Sequence, residues 1–116
     1  MHEMSLASEI LRASRAAMVE RGGERLERVL VAVGELTALE PELLRFAWEA
    51  LTEGGPDAGS VLDVEWRPAI QHCPTCGDLE GHRPGSWLPL CPTCNEPLRI
   101  VGGQDLDLLQ VSFEKP

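Results

Sequence analysis

The sequence predicts an α+β fold in which two helices cover one face of a three-stranded sheet and a small four-cysteine module is inserted before the last strand. Three observations support this prediction. Two segments repeat apolar residues at three- and four-residue intervals, three segments are β-branched or alternate between apolar and polar residues, and all four cysteines fall between the second and third strand segments.

The first helix is predicted from Leu6 to about Arg21, with Ser5 as its N-terminal cap. Gly22 and Gly23 end it. The stretch 26–36 that follows is rich in valine and is expected to form the central strand of the sheet.

The second helix is expected to begin at Pro41 and to run to about Thr52, because proline favours the first turn and the run Gly54-Gly55-Pro56 stops a helix. Its apolar residues are expected to form one buried side. They are Leu43, Leu44, Phe46, Ala47, Trp48 and Leu51.

Two later segments alternate as strands do. In 61–67, Leu62, Val64 and Trp66 form the apolar face. After Gly102-Gly103, the residues Leu109, Val111 and Phe113 alternate with polar ones and predict the last strand. The α+β domain is therefore discontinuous, residues 1–69 and 104–116, with the cysteine module at 70–103.

The cysteines form two identical Cys-Pro-Thr-Cys units, Cys73/Cys76 and Cys91/Cys94, with 14 residues between the pairs. This spacing is typical of a four-thiolate metal site. The residue after each unit should take a positive φ, and these positions hold Gly77 and Asn95, the residue types that do so at least cost.

Zinc is the expected metal, because a closed tetrahedral site of four sulfurs suits zinc and leaves no position for a substrate. The module is thus zinc-ribbon-like, and its metal has a structural role. Disulfides would need a secretory segment, and a redox CxxC motif belongs at a strand-to-helix junction, which Pro84, Gly85 and Pro89 disfavour. His72 and His82 lie near enough to replace a cysteine ligand.

Nineteen acidic and ten basic side chains give a net charge of −9, which argues against nucleic acid as a partner. We find no apolar run long enough for a membrane span and no signal-peptide pattern, so the expected location is the cytoplasm. No motif pairs a nucleophile with a base, and no glycine-rich phosphate loop is present. We therefore expect no catalytic residues and no enzymatic activity.

The start of the chain offers a second, different metal site. Because His2 is bulky, we expect Met1 to be retained after synthesis. The α-amine of Met1, the peptide nitrogen of His2 and the His2 imidazole then lie close together. Nickel(II) and copper(II) favour such a tetragonal nitrogen environment. Glu40 could reach a metal held there, although an acid at a helix start is usually a capping charge. A solvated terminus is the simpler alternative.

Four motifs in order make the chain resemble the HypA/HybF family of hydrogenase maturation factors, which are nickel metallochaperones. They are Met-His-Glu-Met-Ser at 1–5, Val-Gly-Glu-Leu at 33–36, the two cysteine pairs, and Gly-Gln-Asp-Leu at 103–106. Gln104 and Asp105 stand where the family often has other polar or acidic residues.

The resemblance implies a protein that binds Ni(II) through His2 and the adjoining Glu3 and delivers it to the large subunit of a nickel-iron hydrogenase. It implies Zn(II) bound by Cys73, Cys76, Cys91 and Cys94 and a HypB-type GTPase as partner. Some members of the family also supply nickel to urease. Self-association as a homodimer stays open.

Two other classes of function compete with this one. A zinc-ribbon adaptor would bind protein or RNA without nickel, and a tag placed before Met1 would not disturb it. An electron carrier would hold one iron between its cysteine knuckles, and the protein would then be coloured.

Overall fold

The computed structural model describes residues 3–79 and 87–116. Its helices are α1 (Glu3–Glu20), a short 3-10 helix (Glu35–Thr37) and α2 (Pro41–Thr52), and its strands are β1 (Arg25–Gly34), β2 (Val61–Arg67), β3 (Ile70–Cys73), β4 (Gly77–Asp78), β5 (Arg99–Val101) and β6 (Leu106–Glu114). Among these described residues, no helix is both long enough and apolar enough to cross a membrane.

The larger sheet has the strand order β2-β1-β6, so β1 is the central strand, as predicted. Strand β1 pairs in parallel with β2, which places Val29 beside Leu62, and pairs antiparallel with β6, which places Val29 beside Val111. Parallel neighbours need a crossover connection, and α2 supplies it.

The hydrophobic core lies between this sheet and the two helices. Its fully buried side chains include Met18 from α1, Val29 and Val31 from β1, and Leu44 and Trp48 from α2. The opposite face of the sheet carries ion pairs, among them Arg28–Asp63 and Arg67–Asp105. The helices therefore cover one sheet face, which confirms the predicted fold class.

Two predicted boundaries are wrong. Helix α1 already includes Glu3, so Ser5 lies exposed inside the helix rather than capping it. Strand β1 ends at Gly34, and Leu36 belongs to the 3-10 helix. Beyond Gly34 the chain leaves the ladder, and the amide of Leu36 donates to the carbonyl oxygen of Gly103 at 2.7 Å.

The buried side of α2 is narrower than predicted. Leu44, Ala47 and Trp48 are buried, but Leu43 and Phe46 are 53% and 68% exposed. A helix packed on one side against a sheet and one other helix buries only a stripe of its surface. Leu51 and, in β2, Trp66 are likewise more exposed than their predicted faces imply.

The second sheet has the order β4-β3-β5, and Cys73 is the last residue of β3. Two chain segments join it to the larger sheet, and both lie against the loop that holds the 3-10 helix. The amide of Ala69 donates to Glu35 Oε1 at 3.0 Å, and the amide of Leu36 donates to the carbonyl oxygen of Gly103 at 2.7 Å. These bonds fix where the smaller sheet leaves the larger one.

Candidate metal centre

The four cysteines come together although the pairs are far apart in sequence. Cys73 ends β3 and Cys76 lies in the turn before β4, while Cys91 and Cys94 lie in the turn that precedes β5. Their four Sγ atoms all lie within 4.8 Å of one another. Cys73 and Cys91 are buried and Cys76 is exposed, so the cluster opens to solvent on one side.

Each Cys-Pro-Thr-Cys unit folds as a tight knuckle. In the first, the amide of Cys76 donates to Cys73 Sγ at 3.3 Å. In the second, the amide of Asn95 donates to the carbonyl oxygen of Cys91 at 2.8 Å. Gly77 has φ 89° and Asn95 has φ 66°, which confirms the positive φ predicted at both positions.

The backbone around the second knuckle sets which thiol ionises first. Hydrogen bonds from the amides of Cys94 and Thr93 favour the thiolate of Cys91 and lower its pKa from an ordinary 9.0 to about 6. Hydrogen bonding with Cys94 and burial together raise the pKa of Cys76 to about 12. Of these two thiols, Cys91 therefore ionises first.

The donor set fits zinc. Tetrahedral bonds of about 2.3 Å from zinc to sulfur put neighbouring sulfurs about 3.8 Å apart, and the Sγ atoms of Cys73 and Cys94 are 3.4 Å apart. A divalent ion would offset the hydrogen bonding and burial that keep the Cys76 thiol protonated. The four cysteines would hold the ion, and its positive charge would keep all four sulfurs as thiolates.

The nearby histidines do not join this cluster within the described residues. His72 Nδ1 lies 2.8 Å from Asp78 Oδ1 across the β3–β4 pair, and the group of donor atoms contains the cysteines alone. His82 lies outside the described residues.

The predicted nickel residues are only partly within the described chain, because Met1 and His2 fall outside it. Glu3 opens α1, and its Oε1 accepts a long hydrogen bond of 3.5 Å from the amide of Glu40. Glu40 is the exposed N-cap residue of α2 and makes no capping bond with its own side chain. The start of α1 and the start of α2 thus lie side by side, and each contributes a carboxylate.

Sequence reasoning missed Gln71, a buried polar residue two positions before the first knuckle. Its side-chain amide bonds to the backbone of Leu88. A glutamine in a short strand is common, so its own position carried no signal. The alternation of buried Gln71 with the partly exposed Ile70 and His72 is visible only in the structure.

Comparison with known proteins finds one family model, described as "Hydrogenase/urease nickel incorporation, metallochaperone, hypA", which matches residues 1–113. A hydrogenase maturation factor HypA of Chloroflexus aggregans is 36% identical over 117 aligned positions, and the alignment covers 100% of both chains. One of Acidithiobacillus ferrooxidans is 33% identical, over 98% of this chain and 100% of that protein.

Solved structures agree on the fold. The solution structure of the Ni metallochaperone HypA from Helicobacter pylori superposes with a TM-score of 0.64 at 23% identity, covering all of both chains. A second HypA solution structure gives 0.63 at 24% identity, over 97% of this chain and 96% of that one.

Proposed function

This chain belongs to the HypA family of nickel-incorporation metallochaperones, and from that premise we propose that it binds Ni(II) at His2 and Glu3 and delivers the ion during maturation of a nickel-iron hydrogenase. It acts as a carrier, with no reaction of its own. The observation that supports this site most directly is the contact between Glu3 and the backbone of Glu40.

That contact matters because it places the carboxylate of Glu3 beside the start of α2. One oxygen of Glu3 faces the amide of Glu40, which leaves the other oxygen free to approach an ion held by His2. The Glu40 side chain is exposed, and we propose that it supplies a second carboxylate. The expected full ligand set consists of the His2 imidazole, a backbone nitrogen, the Met1 amine and these oxygens. Together they form a nitrogen-rich site of the kind Ni(II) prefers.

Delivery requires that the ion can leave. Glu40 is exposed and Glu3 is half-buried, so few side chains enclose the proposed site, and ligands of a partner protein can replace its own one at a time. Protonation of the His2 imidazole should loosen nickel as pH falls, because only the neutral imidazole binds metal.

We assign Zn(II) to Cys73, Cys76, Cys91 and Cys94 as a structural ion. The four thiols are already gathered, and a small sheet of this size has too little apolar interior to hold its shape unaided. The partners proposed are a HypB-type GTPase and the hydrogenase large subunit, in the cytoplasm, with urease as a second client.

Nickel titration of the zinc-loaded, untagged protein tests this function. Calorimetry should detect one Ni(II) site in the wild type, none in His2→Ala, and a weakened site in Glu40→Gln. His72→Ala is the matched histidine control and Glu49→Gln the matched carboxylate control on the same helix; both should bind nickel as the wild type does. Zinc content should stay unchanged in His2→Ala.

Unchanged nickel affinity in His2→Ala would exclude His2 as a ligand. A zinc-loaded wild type that binds no nickel, and that tolerates a tag before Met1 without any change, would instead support the zinc-ribbon adaptor.

A further inference from the structure

An open groove of about 550 Å³ runs between α2 and the loop that leads to β2. We call it the α2 groove. Its walls are Phe46, Glu49, Ala50, Thr52 and Glu53 on one side and Gly54, Ala58, Gly59, Ser60 and Val61 on the other. It lies outside both proposed metal sites, and nothing in the proposed nickel function uses it.

The loop wall of the groove is held in place. Trp48 is fully buried, and its Nε1 donates to Ser60 Oγ at 3.0 Å. Asp57 is also buried, and its Oδ1 accepts from the amide of Leu26 at 3.0 Å. These bonds tie the loop to α2 and to β1, so a ligand would meet a groove that is already formed and would spend little free energy on ordering it.

Beside its acidic residues, the helix wall carries an exposed apolar stripe. Phe46 is 68% exposed, and Leu43 and Ala50 lie three residues before and four residues after it on the same face. The contact of this phenylalanine ring with water is unfavourable, and no burial within the fold offsets it. Such a stripe beside a formed groove is characteristic of a surface that buries an apolar anchor from another molecule.

Charges at the same end of α2 are unbalanced. Glu49 and Glu53 are one helical turn apart, and within the described residues neither forms an ion pair. The last turn of α2 contains no basic residue. The two carboxylates, at spacing i, i+4, repel each other, and each is also repelled by the negative end of the helix dipole. Both effects destabilise the folded chain. A cation supplied here by a partner would reduce both repulsions.

We propose that the α2 groove docks a basic amphipathic helix of another protein, with an aliphatic side chain against Phe46 and Ala50 and arginine or lysine beside Glu49 and Glu53. An arginine can also stack on the exposed ring of Phe46. Leu43, Phe46 and Ala50, spaced three and four residues apart, form an apolar stripe along one face of α2 that a second helix would cover.

A second copy of this chain is a poorer occupant, because it has few free cations to offer. Within the described residues, only Arg21, Arg99 and Lys115 are not engaged in an ion pair. The paired arginines are Arg12, Arg15, Arg25, Arg28, Arg45 and Arg67.

The test uses a fluorescent synthetic helix with leucine along one face and arginine at its flanks, titrated with the zinc-loaded full chain and followed by anisotropy. Glu49→Lys/Glu53→Lys should weaken binding about tenfold or more, and Phe46→Ser by about tenfold. Glu20→Lys/Glu24→Lys is the matched charge control, since it alters the net charge equally at exposed sites near the end of α1. Val19→Ser, at a side chain 62% exposed, is the matched apolar control. Both controls should stay within about twofold of the wild type.

Three results would overturn the proposal. The wild type could fail to bind the arginine peptide more tightly than the same peptide with glutamate in place of arginine. The Glu20→Lys/Glu24→Lys control could lose as much affinity as the groove variant, which would indicate attraction by net charge alone. Sedimentation could show a wild-type dimer that Phe46→Ser dissociates, and the groove would then be a contact between copies.

Discussion

The side chain of Gln71 pairs with the backbone of Leu88 as a neighbouring strand would. Its Nε2 donates to the carbonyl oxygen of Leu88 at 2.7 Å, and the amide of Leu88 donates to Gln71 Oε1 at 3.1 Å. Gln71 lies two residues before Cys73, and Leu88 lies three residues before Cys91. The pair therefore links the approach to the first knuckle with the approach to the second.

Replacing Gln71 by alanine should loosen the four-cysteine cluster. The change removes two hydrogen bonds and leaves both backbone groups of Leu88 without their protein partner, at a cost of about 1–3 kcal/mol. We expect Gln71→Ala to release zinc to a chelator faster than the wild type, with no change in the helical circular dichroism signal. Gln110→Ala, at an exposed glutamine in β6, is the control. Equal rates for the wild type and both variants would contradict the role given to this pair.

The thiols of the metal-free protein should ionise in a defined order. Because the pKa of Cys91 is lowered to about 6 and that of Cys76 is raised to about 12, ultraviolet absorbance should report a thiolate that forms near pH 6. Cys91→Ser should abolish this step, whereas Cys76→Ser should retain it. A lowered pKa stabilises the folded form fully above the ordinary 9.0, and this contribution is lost as pH falls through about 6. A first thiolate that persists in Cys91→Ser would contradict the assignment.

The knuckles could be predicted from sequence because their chemistry is local. Two residues between cysteines and a glycine or asparagine after them determine the turn, whatever surrounds it. The Gln71–Leu88 pair and the Glu3–Glu40 contact join residues 17 and 37 positions apart, and such pairings depend on how the elements pack. For the same reason the pattern of α2 identified a helix but not how much of Phe46 would be covered.

Gly34 should not tolerate a side chain, although it is only one methyl group from alanine. An ideal Cβ there would lie 2.2 Å from the carbonyl oxygen of Gly103 and 2.7 Å from the amide nitrogen of Asp105. Backbone must shift to admit it, and we expect Gly34→Ala to lower the free energy of unfolding by about 2 kcal/mol or more. At Gly55 the nearest atom is 3.5 Å away, so Gly55→Ala should stay within about 0.5 kcal/mol of the wild type in urea titrations. Similar stabilities for the two variants would contradict the close packing at this joint.

Asp57 should contribute far more to the free energy of unfolding than an aspartate that forms an ion pair on the surface. One oxygen accepts from the amide of Leu26, the other pairs with Arg15, and the carboxylate is almost completely buried. Asp57→Ala leaves a buried amide and a partly buried guanidinium without their acceptor, and we expect a loss of about 3 kcal/mol in urea unfolding. Asp63→Ala breaks the more exposed pair with Arg28 and should cost less than about 1 kcal/mol. Asp57→Asn keeps an acceptor for Leu26 and should fall between the two. If Asp57→Asn proved as damaging as Asp57→Ala, the pairing with Arg15 rather than the bond to Leu26 would hold this loop.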